Sequence, residues 1–301
     1  MRTLSLLGLV VLFALATSVA PTWAAPDYPG GPDLIVDDDL ACSGATFQSI
    51  QAAVDAATPG TKIRVCPGDY YETILIGTPL KLVAKPLGSA VIHGSVTIAA
   101  NQPAMQQLLG GHDVRLEGFE IDASGQSAGI VLLEADRVDI RNNTVSGASV
   151  AGINLFDSGE TIVRENTVSY NTGHGIVLTG MVRSEVKHNI VNHNGGDGIR
   201  QLEGGNNHYD DNTADMNAAN GISICYDAQD DLVEKNQANS NGQAGISICN
   251  DSVIRITVKK NVMLGNPIDA IDTSIGSGTL GTANTWSRNT CITSQPAGLC
   301  N

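Results

Sequence analysis

A glycine-aliphatic pair returns on a near-fixed beat through most of this chain. Gly129-Ile130, Gly152-Ile153, Gly175-Ile176, Gly198-Ile199 and Gly221-Ile222 lie 23 residues apart, Gly245-Ile246 follows at 24 and Ala270-Ile271 at 25. Two asparagine columns keep the same time. Asn143, Asn166, Asn189, Asn212, Asn236 and Asn261 form the first, with Asn289 trailing at 28; Asn171, Asn194, Asn217, Asn241 and Asn266 form the second. Three columns that absorb the same small insertions define one structural unit stacked on itself.

Each unit carries short runs such as Gly152-Ile153-Asn154-Leu155 and Ile162-Val163-Arg164-Glu165-Asn166-Thr167-Val168. Aliphatic and polar residues alternate in pieces too short for helix, which is strand periodicity. A repeat of this length with two or three short strands fits one rung of a parallel β-solenoid, whose rungs stack at about 4.8 Å. The Asn columns fit its corners. Asn tolerates left-handed backbone, and stacked amides bond to the copies above and below. The aligned Gly fits a bend. The leucine-rich repeat shares the period, but its Leu-x-x-Leu-x-Leu-x-x-Asn pattern is absent.

The repeat Val-x-Ile-x-x-Asn-Thr-Val-Ser-x-Asn-x-x-x-Gly-Ile-x-Leu resembles the right-handed parallel β-helix repeat of the pectin-lyase-like superfamily. The N-terminal part resembles the usual opening of that fold: residues 47–57, then Pro59-Gly60, Ile63-Arg64-Val65 and Pro67-Gly68-Asp69-Tyr70-Tyr71-Glu72. The resemblance covers roughly residues 33–290. It implies an all-β chain, a right-handed β-helix of about ten rungs with a short N-terminal capping helix. It leaves activity open, since that superfamily includes lyases, hydrolases and epimerases of acidic polysaccharides as well as tailspikes and adhesins.

The first residues read as a secretory signal peptide rather than structure. Arg2 precedes an apolar run from Leu4 to Ala16, and Thr22-Trp23-Ala24 offers small residues for cleavage after Ala24. No other segment is apolar enough to span a bilayer. Removing residues 1–24 takes away Arg2 and no acid, so the net charge of −14 becomes −15. Bulk electrostatics then oppose nucleic acid and anionic membrane as partners. They also oppose a polyanionic glycan unless a local basic patch or a bridging Ca²⁺ holds it. A secreted chain with six Cys suggests disulfides, and spacing alone leaves the pairing open. Cys42 and Cys66 flank the capping helix, and Cys291 and Cys300 sit together in the tail. Cys225 and Cys249 share a column one rung apart, either bridged or packed as thiols.

One domain is expected over residues 25–301. Residues 46–57 read as an amphipathic helix that covers the open end of the stack, with Thr46 as N-cap and Phe47, Ile50, Val54 and Ala57 on one face. Residues 122–272 form the regular repeats and 273–301 close the far end. The acid run Asp37-Asp38-Asp39 reads as solvated loop, with Ca²⁺ as the candidate ion.

Aligned on the Gly column, His174, Asp197 and Arg200 fall on adjacent rungs of one face. A His beside an Asp suits general acid-base work, and an Arg clamps a carboxylate. These three are the candidate catalytic residues, with Asp197 fixing the His174 tautomer. Asn154, Glu203, Asn220 and Tyr226 are the candidate substrate-binding residues around them. Gly173-His174-Gly175 also resembles a short polygalacturonase motif. The Asn-Thr-Asp and paired Asp of those enzymes are replaced here by Ala151 and Gly152, and the Asp-Pro-His-Asp motif of the epimerases is absent. His188, His193 and His208 lie in different columns and do not form a metal site. Two functional readings follow. One is a secreted protein that binds, and as lyase, hydrolase or epimerase modifies, a polysaccharide or cell-surface glycan. The other is a non-catalytic extracellular or periplasmic solenoid for adhesion, envelope structure or partner binding.

Overall fold

Among the described residues every strand pair is parallel, and strands partner the equivalent strand of the next rung. The computed structural model describes residues 33–99 and 114–300; the expected signal peptide, residues 1–24, lies outside them. Three sheets run the length of the stack. The first has eleven strands, from Leu34–Val36 to Thr285–Ser287, and the second has ten, from Thr73–Ile76 to Ser294–Gln295. The third has five strands, from Gly68–Tyr70 to Thr167–Val168, and continues as single bridges through Ile190, Thr213, Gln237, Val262 and Thr290. This is an all-β solenoid of about ten turns.

The core is a set of columns. Ile140, Val163, Val186, Tyr209, Val233, Val258 and Trp286 stack inside the first sheet, and all are buried. Ile153, Ile176, Ile199, Ile222 and Ile246 stack inside the second. Each such side chain contributes about 1.5–3 kcal/mol of burial. Branched residues suit this arrangement because they pack against their own copies on a pleated surface.

Side chains hold the corners together. Asn189 Nδ2 donates to Asn212 Oδ1 at 3.0 Å and to the Val163 carbonyl at 2.9 Å, while its Oδ1 accepts both the backbone N–H and Nδ2 of Asn166. The same pattern repeats from Asn143 to Asn289. The second column does likewise from Asn171 to Asn266, where Asp269 terminates it by accepting from Asn266 N and Nδ2. A third ladder, of mixed residues, holds the remaining corner. Ser184 N donates to Asn207 Oδ1, and Asn207 N donates to Asp231 Oδ1.

The left-handed residue at these corners is not the ladder Asn but the residue before it. Asn142, Glu165, His188, Asp211, Lys235, Lys260 and Arg288 have φ between 54° and 58°, and Tyr170, His193, Met216 and Ser240 repeat this at the second corner. The ladder amides make such conformations tolerable by bonding the neighbouring rungs. The capping helix is shorter than expected, Ile50–Ala56, with Ser49 rather than Thr46 as N-cap. Phe47 is instead bridged to Val36. Glu72 fixes the start by accepting the Ile50 and Gln51 N–H groups at 2.8 and 2.9 Å. At the far end, Ile246 pairs with Ala270, so Asp269 takes the place of the aligned glycine and the expected Ala270-Ile271 alignment is one residue off. Residues 285–295 complete a further rung rather than only a cap. All six Cys are bridged, as Cys42–Cys66, Cys225–Cys249 and Cys291–Cys300, the second pair one rung apart with Cα atoms at 4.9 Å.

Asn189→Ala orphans the Asn166 donors and should cost on the order of 2–4 kcal/mol; an unchanged denaturation midpoint would contradict the ladder. Asp231 sits in the third ladder with Oδ2 buried and unpartnered, and burial pushes its carboxyl up to about 7. The native state therefore holds a proton that the unfolded chain releases near pH 3.9, so this group's contribution is full below that pH and is lost as pH rises through about 7. Asp231→Asn keeps the acceptor and removes the charge. It should be near neutral at pH 4 and stabilising at pH 8 by up to about 4 kcal/mol, read from melts at both pH values. An equal difference at both would contradict the assignment.

Candidate functional site

The second sheet presents the candidate cluster. His174 opens the strand His174–Thr179, Arg200 lies in the next strand, Ile199–Leu202, and Ser223 in Ile222–Cys225. Val177 pairs with Arg200 and Arg200 with Ser223, so these positions form one column at strand spacing. Asp197 and Asn220 lie two residues before their strands, ahead of Gly198 and Gly221. Gly196 lets the imidazole lie over the next rung, since a Cβ there would meet His174 Nδ1 at 2.5 Å.

Hydrogen bonds assign each member a role. His174 Nδ1 accepts the Asp197 backbone N–H at 2.9 Å. The Asp197 carboxylate is farther from the ring, with Oδ2 at 3.7 Å from Nδ1. The expected carboxylate-imidazole pairing is thus replaced by a backbone donor, which fixes the neutral ring with its proton on Nε2. Both oxygens of Asp197 are engaged: Oδ1 accepts from Asn220 N and Nδ2 at 3.0 and 2.7 Å, and Oδ2 accepts from Ser223 Oγ at 2.8 Å and lies 3.8 Å from Arg200 Nη1. Ser223 is a member that the sequence columns contained but did not single out. Burial pushes the imidazole below its ordinary value; the Asp197 carboxylate opposes this and the Arg200 charge adds to it.

Arg200 Nη1 lies 3.2 Å from His174 Nε2. Two donors face one another there, and Arg200 Nε is buried with no partner. An oxygen beside this pair, within hydrogen-bond reach of both nitrogens, would satisfy both. The other expected contacts separate. Asn154 sits two rungs away in the Arg200 column, beyond Val177, with its own Oδ1 buried and unpartnered. Glu203 and Tyr226 are exposed neighbours at the opposite end of the strands, joined by the Glu203 N–H to the Tyr226 carbonyl at 2.9 Å.

Two acidic groups could face a cation. His208, Asp210 and Glu234 on the first sheet bring ligand atoms within 4.8 Å, but Lys235 and Lys259 already neutralise the carboxylates at 2.9 and 3.4 Å. Asp37, Asp38 and Asp39 lie as close, and each accepts a backbone N–H, Asp37 from Cys42, Asp39 from Ala41 and Asp38 from Asp69 in the strand Gly68–Tyr70. Among the described residues no helix is long and apolar enough to cross a membrane.

A pectate lyase, Pel9A, superposes with a TM-score of 0.55 at 16% identity, over 87% of this chain and 78% of that one. The Dettilon tailspike protein gives 0.51 at 13% identity, over 87% of this chain and 68% of that one. Both likenesses are of fold. A cell surface glycoprotein of Methanothermus fervidus is 36% identical over 114 residues, 35% of this chain. The chain spans 17% of the length of that curated relative. The family described as right handed beta helix region matches residues 128–291, just over half of the chain. With its parallel rungs and corner ladders, this chain belongs to the right-handed β-helix family.

Proposed function

We propose that this protein acts outside the cytoplasm and binds a polysaccharide along the face of the second sheet, with His174 and Arg200 as the polar contacts. Asp197, Asn220 and Ser223 position them. The observation that carries this reading is the facing donor pair, His174 Nε2 and Arg200 Nη1 at 3.2 Å, beside the unpartnered Arg200 Nε. A carboxylate or hydroxyl oxygen of a sugar suits that place, and a guanidinium binds carboxylates well. The fold likeness to a pectate lyase supports a glycan as partner, and three disulfides support an oxidising compartment.

Binding is favoured over lyase, hydrolase or epimerase chemistry at this cluster. A base would need a free lone pair, but Nδ1 accepts a backbone N–H and Nε2 carries the proton. Both Asp197 oxygens already accept hydrogen bonds from Asn220 and Ser223. The second reading, an adhesion or envelope solenoid, draws on the similarity to a cell surface glycoprotein. A glycan panel separates the two.

Affinity electrophoresis against acidic and neutral polysaccharides should retain the parent protein. His174→Ala and Arg200→Ala should each weaken retention at least tenfold, about 1.4 kcal/mol, with the circular dichroism spectrum unchanged. Unaltered retention in both variants would place the site elsewhere, and retention on no glycan would favour the adhesion reading. Lyase absorbance that disappears in His174→Ala would make the cluster catalytic. The charge balance is tested separately. By NMR titration His174 should lose its proton below the ordinary midpoint of about 6.5. Arg200→Gln should raise that midpoint, because removing a cation favours imidazolium; a fall would contradict the geometry.

A further inference from the structure

A cleft of ≈ 300 Å³ opens on the first sheet, on a different side of the solenoid from His174. Lys62, Lys81, Lys85, Arg115 and Arg141 line it, with Glu117 as the acid among the lining residues. The whole chain has 17 basic residues and a net charge of −14, so five cations in one cleft are a marked concentration. Strand register makes it sharper. Lys62 pairs directly with Lys81, and Lys81 with Arg115. Like charges directly opposite destabilise a sheet. Other like-charged neighbours on this sheet share a counter-ion: Arg141 and Arg164 both reach Asp139, and Asp210 and Glu234 both reach Lys235. Lys62 meets Asp33 at 3.9 Å, whereas Lys81 and Lys85 have no ion pair among the described residues.

The two arginines are already oriented. Buried Asp139 holds Arg115 Nε at 3.3 Å and Arg141 Nη1 at 3.7 Å, and Glu117 holds Arg141 Nη2 at 2.8 Å. Arg141 Nε remains buried without a partner. The five lining cations against Asp33, Glu117 and Asp139 leave two positive charges. A sugar carboxylate would neutralise one of them. A phosphate monoester carries about −1.5 to −2 at pH 7 and offers three acceptor oxygens. Guanidinium forks and ammonium groups together suit that group. The volume lies at the lower end for small-molecule sites, enough for a phosphate and one sugar ring.

We propose that this cleft binds a phosphate monoester carried on a sugar. The proposal does not depend on the glycan face at His174. Isothermal titration of the whole protein with glucose 6-phosphate, at low salt and pH 7.5, tests it. Glucose 6-phosphate should bind at least tenfold more tightly than glucuronate, and should weaken below about pH 6 as the phosphate loses its second charge. The double variant Lys81→Gln/Lys85→Gln changes two exposed side chains and should weaken binding at least tenfold, while His174→Ala should leave it unchanged. Absent binding at millimolar ligand, equal affinity for glucuronate, or an unaffected double variant would each overturn the proposal. Inorganic phosphate bound as tightly as glucose 6-phosphate would overturn the sugar part.

Discussion

The geometry of this protein depends on side chains that accept the backbone N–H of the adjoining rung. At the corners a solenoid must turn sharply, and there the sheet ladders are interrupted. Buried N–H groups left open at such places would each cost about 1–3 kcal/mol. Asn143, Asn166 and their copies close that gap while bonding one another. The arrangement keeps successive rungs in step, because a slipped Asn would lose its donors on one side and its acceptor on the other. It also supports the left-handed residue that precedes each Asn, a conformation with little intrinsic stability outside Gly and Asn.

The candidate site is built by the same device. His174 Nδ1 accepts from Asp197 N, and Asp197 Oδ1 accepts from Asn220 N, one rung to the next. This short side-chain ladder sits at the edge of the second sheet, on the solvent side. It leaves the outer nitrogen of His174 and the Arg200 guanidinium pointed at one another, with Asp197 Oδ2 3.8 Å from Nη1 and Arg200 Nε unpartnered. Scaffold and site therefore compete for the same atoms. The atoms committed to the scaffold, Nδ1 and the Asp197 carboxylate, are those that acid-base chemistry would need free, which is why the cluster reads as a binding site.

Much of the fold was legible because corners repeat in identity as well as in shape. The two Asn columns stand out since no other residue supplies the same donor and acceptor at that reach. The third ladder was not legible: Ser184, Asn207 and Asp231 do one job with three chemistries. The left-handed positions were misplaced because they constrain the backbone and leave the side chain free, hence Glu165, His188 and Lys235 at equivalent places. The helix start escaped because its cap includes Glu72, more than twenty residues away. The register beyond Gly245 slipped because Asp269 replaces a glycine in order to end the second ladder. At the site, columns brought His174, Asp197 and Arg200 together, but tautomer and carboxylate bonding depend on backbone atoms that a column of letters does not contain. Tyr226 and Glu203 share the right rungs and lie at the wrong end of them.

In scaffold and site alike, side chains replace backbone carbonyls as acceptors between rungs. Native-state hydrogen exchange at single backbone amides reads it directly. The N–H groups of Asn189, Asp197 and Asn220 donate to Asn212 Oδ1, His174 Nδ1 and Asp197 Oδ1. All three should exchange slowly in the parent protein, and His174→Ala should release Asp197 while leaving Asn189 protected. Fast exchange at Asp197 in the parent protein, or protection there that survives loss of His174, would contradict the claim.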